Sequence, residues 1–228
     1  MNRMAINERK SGRFLWVLAL LALLALSGCQ SAYYNALEKV GIQKREVLVD
    51  RVEDGRDAQQ AAEEQFSSAL EQFRAVVRVP ESELSRTYDR LNDEYEQSEI
   101  AADRVEGRID AIEDVAEALF DEWEDELSLY QSAQYRRLSE RQLQATRVRY
   151  DEMLTAMQEA ADSMQPVLLA LRDNVLFLKH NLNARAIGAL RGEVDGLERD
   201  VTALRQRMQA AIARSDAFID ELNRQDAP

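Results

Sequence analysis

The side chains able to do chemistry are few. The 228-residue chain holds one cysteine, Cys29, and one histidine, His180. A single thiol rules out an internal disulfide framework, and one thiol with one imidazole is too little for a zinc cluster. The densest run of carboxylates is Asp121-Glu122-Trp123-Glu124-Asp125-Glu126. On a helix, Asp121 and Asp125 share one face, and Glu122 and Glu126 another. Such pairs could hold a divalent cation or supply an acid and a base, although the whole run cannot converge on one ion. The plainer reading is a solvated face around a buried Trp123.

His180 lies in Lys179-His180-Asn181-Leu182-Asn183-Ala184-Arg185, the most distinctive polar cluster of the chain. One reading is a turn at the end of a bundle, held by Asn and His hydrogen bonds. The other makes Lys179, His180, Asn181, Asn183 and Arg185 a surface for a ligand or partner. No nucleophile or orienting acid is tied to His180 by spacing, so no catalytic set is assigned. Nucleotide motifs are missing: there is no G-x-x-x-x-G-K-[ST] run and no G-x-G-x-x-G after a strand. Gly188, Gly192 and Gly196 recur every four residues. They read either as a close-packing stripe for another helix or as glycines tolerated on a surface.

Cys29 has a more specific setting. Arg3, Arg9, Lys10 and Arg13 form a basic leader, followed by thirteen apolar residues from Phe14 to Leu26. That run makes about 20 Å of helix, short of the roughly 30 Å hydrocarbon core, so it reads as the apolar part of a signal peptide. It ends in Leu26-Ser27-Gly28-Cys29, which resembles a bacterial lipobox. Small residues there let the backbone enter a peptidase cleft, and the thiol is the atom a diacylglycerol can alkylate. The resemblance implies lipidation of Cys29, cleavage after Gly28 and acylation of the new amino group. Several acyl chains anchor far more firmly than one, since each buried CH₂ contributes about 0.8 kcal/mol. The next residue is Gln30. An Asp there would favour retention in the inner membrane, so Gln30 favours the outer membrane, facing the periplasm.

The charge agrees with that address. Residues 1–28 carry four basic side chains and one acidic one; the remaining 200 residues hold 25 Lys and Arg against 41 Asp and Glu, a net of −16. Such a chain is a poor nucleic-acid binder, because phosphates are neutralised by clustered Lys and Arg. It suits a body standing off the membrane on a lipid tether.

The elements that position these residues follow from periodicity. With 8 Gly and 3 Pro, breakers are too scarce for a sandwich or barrel. Four apolar seams step alternately by three and four residues. The clearest runs Ile187, Leu190, Val194, Leu197, Val201, Leu204, Met208, Ala211, Ser215, Phe218, Leu222. A second runs from Leu84 to Trp123, a third from Tyr150 to Leu171 and on to Leu178, and a fourth from Leu48 to Val76, diluted by Gly55 and Gln59. Pro80 marks one reversal, Ser128 to Gln134 a second, and His180 to Asn183 a third. In the third, Asn181 is expected to take the left-handed conformation and Asn183 to cap the next helix. Pro166 reads as a kink or restart. The expected fold is all-α, with long antiparallel helices in an elongated, coiled-coil-like bundle. Its helices lie at about 36–78, 81–130, 134–180 and 184–224, after a signal peptide at 1–28 and a lipidated tether at 29–35. Self-association through the seams is consistent with so thin a core.

Four strings are more specific than a generic coiled coil. They are Tyr33-Tyr34 with Glu38-Lys39-Val40-Gly41, Leu48 to Val52, Ala116 to Leu127, and Phe177 to Ile187. They resemble the bacterial domain of unknown function family 2959 over essentially the whole chain after the signal peptide. The resemblance implies no established activity. Some members carry the label of a DNA-repair ATPase, and no phosphate loop here answers to it. The sequence therefore leads to a non-enzymatic, lipid-anchored envelope adaptor or spacer without cofactor. Its partners would be the membrane, through the anchor, and a protein or a second copy, through the helices. The alternative is a small-molecule or divalent-cation binding module, with its site near His180 or on the acidic 121–126 face.

Overall fold

The computed structural model describes residues 43–226. The chain divides into two units, Met1–Glu46 and Val47–Pro228. Of the first unit, only the residues from Gln43 onward are described. The segments expected to be a signal peptide at 1–28, a lipobox at Leu26, Ser27 and Gly28 before Cys29, and a tether at 29–35 lie outside the described residues.

The second unit is an all-α helical bundle. Helix α1 spans Lys44–Val76, α2 Leu84–Leu127, α3 Ala133–Asp162, α4 Met164–His180 and α5 Ala184–Asp226, with a 3₁₀ turn at Glu81–Glu83 before α2. The seam positions explain why these segments are helices and which face each one buries. In α1 every seam position from Leu48 to Val76 is buried, Gly55 and Gln59 included. In α5 the seam is buried from Ile187 to Leu222 except at Val194, which is partly exposed. Burying an apolar stripe at this spacing is what holds a long helix in a bundle.

Side-chain pairs fix the directions. Arg108 of α2 meets Asp54 of α1 at 3.1 Å. Arg56 of α1 meets Asp216 of α5 at 3.1 Å, and Arg74 meets Glu198 at 2.6 Å. Numbers that rise along one helix fall along its neighbour, so α1 runs antiparallel to α2 and to α5. Gln158 of α3 donates to Glu113 of α2, and Arg149 of α3 lies 3.5 Å from Glu221 of α5. The chain therefore runs up, down, up, down, with α3 and α4 together forming the third rod. The α2–α3 turn, the start of α1 and the end of α5 share one end of the bundle. Arg191 donates to the Val77 carbonyl at 3.2 Å, which brings the α1–α2 and α4–α5 turns together at the other end.

Two positions depart from a plain apolar seam. A Cβ on Gly55 would lie 2.8 Å from Ile112 Cδ1 and 2.8 Å from Met157 Cε, so the missing side chain leaves room for the ends of Ile112 and Met157. One turn on, Gln59 is fully buried and donates to the Met157 carbonyl at 3.2 Å, while its Oε1 has no partner. A buried amide with one fixed partner costs stability if the helices slide, so it favours this register.

The third expected helix, 134–180, is in fact two. Helix α3 ends at Asp162, Ser163 forms a turn, and Pro166 is the third residue of α4. Pro166 has no N–H to give the Asp162 carbonyl, whereas in a first turn that N–H would have no helical partner anyway. Ser163 Oγ instead donates to the Ala160 carbonyl at 2.7 Å. Met164 and Val167 still reach the core, so the seam passes the break unshifted.

Candidate functional site

The α4–α5 turn is built by its two asparagines. Asn181 Nδ2 donates to the Phe177 carbonyl at 2.9 Å, closing α4. Asn183 Oδ1 accepts from the Arg185 and Ala186 amides at 3.0 and 3.1 Å, which is the N-cap arrangement for α5. Asn181 has φ −137° and ψ 57°, so the left-handed conformation expected for it does not occur. The side-chain bond to Phe177 satisfies a terminal carbonyl without it. His180 is exposed, and the turn is held by the two Asn side chains together with backbone bonds from the Asn181 N–H to the Leu178 carbonyl at 3.0 Å and from the Asn183 N–H to the Asn181 carbonyl at 2.9 Å. Lys179 and Arg185 are exposed beside it.

The apolar stretch leading into that turn is buried on one face only. Val167, Leu168, Leu171, Val175 and Leu178 enter the core. Leu169, Leu176 and Phe177 lie on the outer face, and Leu182 stands exposed in the turn; Leu176 keeps 50% of its surface in solvent.

The acidic run ends α2. Trp123 is half-buried rather than buried, and its Nε1 donates to Ser139 Oγ of α3 at 2.8 Å. Glu124 is paired with Arg147 of α3, and Arg147 also stacks over Phe120 with its guanidinium carbon 5.1 Å from the ring centre. Asp121, Asp125 and Glu126 are exposed. Among the described residues, no group of three His, Cys, Asp or Glu side chains is placed to hold a metal ion. The carboxylates spread around the helix, as a 100° step per residue requires.

A third surface was not singled out from the sequence. The first six residues of α3, Ala133 to Leu138, are all exposed, as are Leu129 and Tyr130 before them. Leu129 keeps 72% and Tyr135 62% of their surface in solvent. Arg136, Arg137 and Arg141 are also exposed there, and none of the ion pairs among the described residues involves them. The signal was present in Leu129, Tyr130, Tyr135 and Leu138, but polar neighbours made 128–134 read as a plain reversal. The glycine stripe, by contrast, is open. A Cβ on Gly188, Gly192 or Gly196 would meet nothing within 4 Å.

The family model described as protein of unknown function (DUF2959) matches residues 33–222. The chain belongs to this family. No curated protein and no solved structure matches it. In this DUF2959 chain the match starts after Cys29, so it does not bear on the lipobox expected at residues 26–29. Among the described residues no helix is long and apolar enough to cross a membrane.

Proposed function

We propose that this chain is a lipid-anchored, non-enzymatic protein of the bacterial envelope, held through Cys29 at the outer membrane and facing the periplasm. The bundle serves there as a spacer and adaptor. The observation that carries this reading is the position of the only cysteine, directly after Leu26-Ser27-Gly28 and a charge-free apolar run. The bundle supports it in two ways. Its seams fill the interior with Leu, Phe, Met and Ala side chains, an arrangement that resists bending and needs no reacting group. Its α4 helix keeps Leu169, Leu176 and Phe177 outside the core, where a partner protein gains apolar contact.

The adaptor role is tested in cells with a photoreactive amino acid in place of Arg185, beside that surface. Irradiation is expected to yield one discrete adduct with an envelope protein, lost when Leu176→Ser is added. Adducts with copies of the same chain alone would contradict the role.

A further inference from the structure

Helices α2 and α4 leave a groove of about 450 Å³ between them. Its apolar part comes from Ile100 of α2 and from Leu168 and Leu169 of α4. Ile100 keeps 49% and Leu169 47% of their surface in solvent. Leu176 lies seven residues beyond Leu169 on the same face of α4, so the apolar strip runs on for about two more turns.

The α2 rim of this groove is acidic. Glu96, Glu99 and Asp103 line it, three and four residues apart, and all three are exposed. None of them joins an ion pair among the described residues. Asn92 donates to Glu96 and Tyr95 to Glu99, which holds both carboxylates in place as acceptors. Of the lining residues one is cationic, Arg172 on the α4 rim, 3.9 Å from Asp173 of its own helix. The separation of charge continues along α2. A step of about 100° per residue puts Glu106 and Asp110 on the flank of Glu99 and Asp103. Arg90, Arg104 and Arg108 fall on the flank toward α1, where Arg108 meets Asp54.

These charges select the occupant. A metal ion is poorly served, because Glu96 and Asp103 stand about 10 Å apart along the helix and no group of three described carboxylates converges. Lipid phosphates and nucleic acids meet repulsion from the same rim. A second copy of the chain brings an equally acidic rim of its own. An elongated partner with one apolar face and a row of cations meets every feature.

We infer that the α2–α4 groove seats an amphipathic helix of a partner protein, with its apolar face on Ile100, Leu169 and Leu176 and its Lys and Arg side chains on Glu96, Glu99 and Asp103. A helix laid in a groove presents apolar anchors every three or four residues, the spacing of the strip that receives it. Cations at the same spacing on its flank match the three-four spacing of the acids. The apolar strip supplies affinity by leaving water, and the acids supply orientation and rate of encounter. Arg172 on the α4 rim favours the placement that turns the cations toward α2. The inference rests on the adaptor reading for the partner's being an envelope protein, and the test separates the two.

The probe is a fluorescent helical peptide of Leu and Lys with one apolar face, and its counterpart with Glu in place of Lys. Each is titrated with the full chain purified in non-ionic detergent, and binding to detergent alone is subtracted. The groove variant carries Glu96→Gln, Glu99→Gln and Asp103→Asn together. A control carries Glu193→Gln, Asp195→Asn and Asp200→Asn, which remove the same charge from exposed positions of α5. The Leu–Lys peptide is expected to bind and the Leu–Glu peptide not to. The groove variant should weaken binding by about tenfold or more and the α5 variant by less than about twofold. Ile100→Ser with Leu169→Ser should weaken it as well. No binding of the Leu–Lys peptide, equal binding of both peptides, or equal loss in the two charge variants would overturn the inference. Groove-dependent peptide binding with only self-adducts at position 185 in cells supports the groove and overturns the adaptor role. An envelope-protein adduct at 185 without groove-dependent peptide binding does the reverse.

Discussion

Tyr150 shows how closely individual residues are held. Its ring meets Phe120 edge-on at 5.3 Å and Phe218 at 6.2 Å, joining α2, α3 and α5. Burial, with Glu113, Asp151 and Glu117 adding their charge, pushes its phenol well above the ordinary value. Tyr95 is pushed up to about 12, first by burial and then by its hydrogen bond to Glu99. Both phenols keep their protons in the fold at a pH where the unfolded chain releases them. The stability this gives is whole below about pH 10 and is lost as pH rises toward the folded values. Tyr150→Phe removes one such group while keeping the ring. Urea midpoints measured from pH 8 to pH 11 are expected to fall less steeply in this variant. An unchanged slope would mean that the hydroxyl is not buried. At this scale the sequence was readable wherever a residue kept to its seam. Ser215 and Gln59 are buried at the positions their spacing assigned. Trp123 was misread, because the end of the α2 seam turns Val115, Ala116 and Phe120 inward and leaves the indole at the edge, bonded to Ser139.

Among the elements, the seams made the helices legible, because a three-four alternation over many turns has one physical solution. Helix ends were harder to read, since they depend on caps that compete over one or two residues. The split at Ser163 is such a case. Pro166 announced it, yet a proline is compatible with either a kink or a fresh start, and only the tertiary contacts of Met164 and Val167 separate the two. The α5 glycines allow a direct check of what covers that helix. With open space beyond each Cβ, the changes Gly188→Ala, Gly192→Ala and Gly196→Ala together are expected to stabilise the fold. At about 0.5–1 kcal/mol each, the melting temperature should rise by roughly 4–8 °C. A lower melting temperature, with loss of a dimer, would show that the stripe seats a helix of a second copy.

For the whole molecule, the all-α bundle was legible in the seams, but not which residues near its ends stay outside the core. Leu129 and Tyr135 could be recognised as exposed only once α3 was seen to extend past the core. The same limit applied to α4. The fold divides it into a core face at Val167, Leu171, Val175 and Leu178 and an outward face at Leu169, Leu176 and Phe177. The proposed envelope role depends on the chemistry at Cys29. The most direct measurement is therefore the intact mass of the protein purified from cell envelopes, with tandem spectra of its first peptide. The expected N-terminus is Cys29, carrying a thioether-linked diacylglycerol and an acylated amino group, with residues 1–28 gone. A chain that still begins at Met1 with a free Cys29 thiol would contradict the lipid-anchored reading.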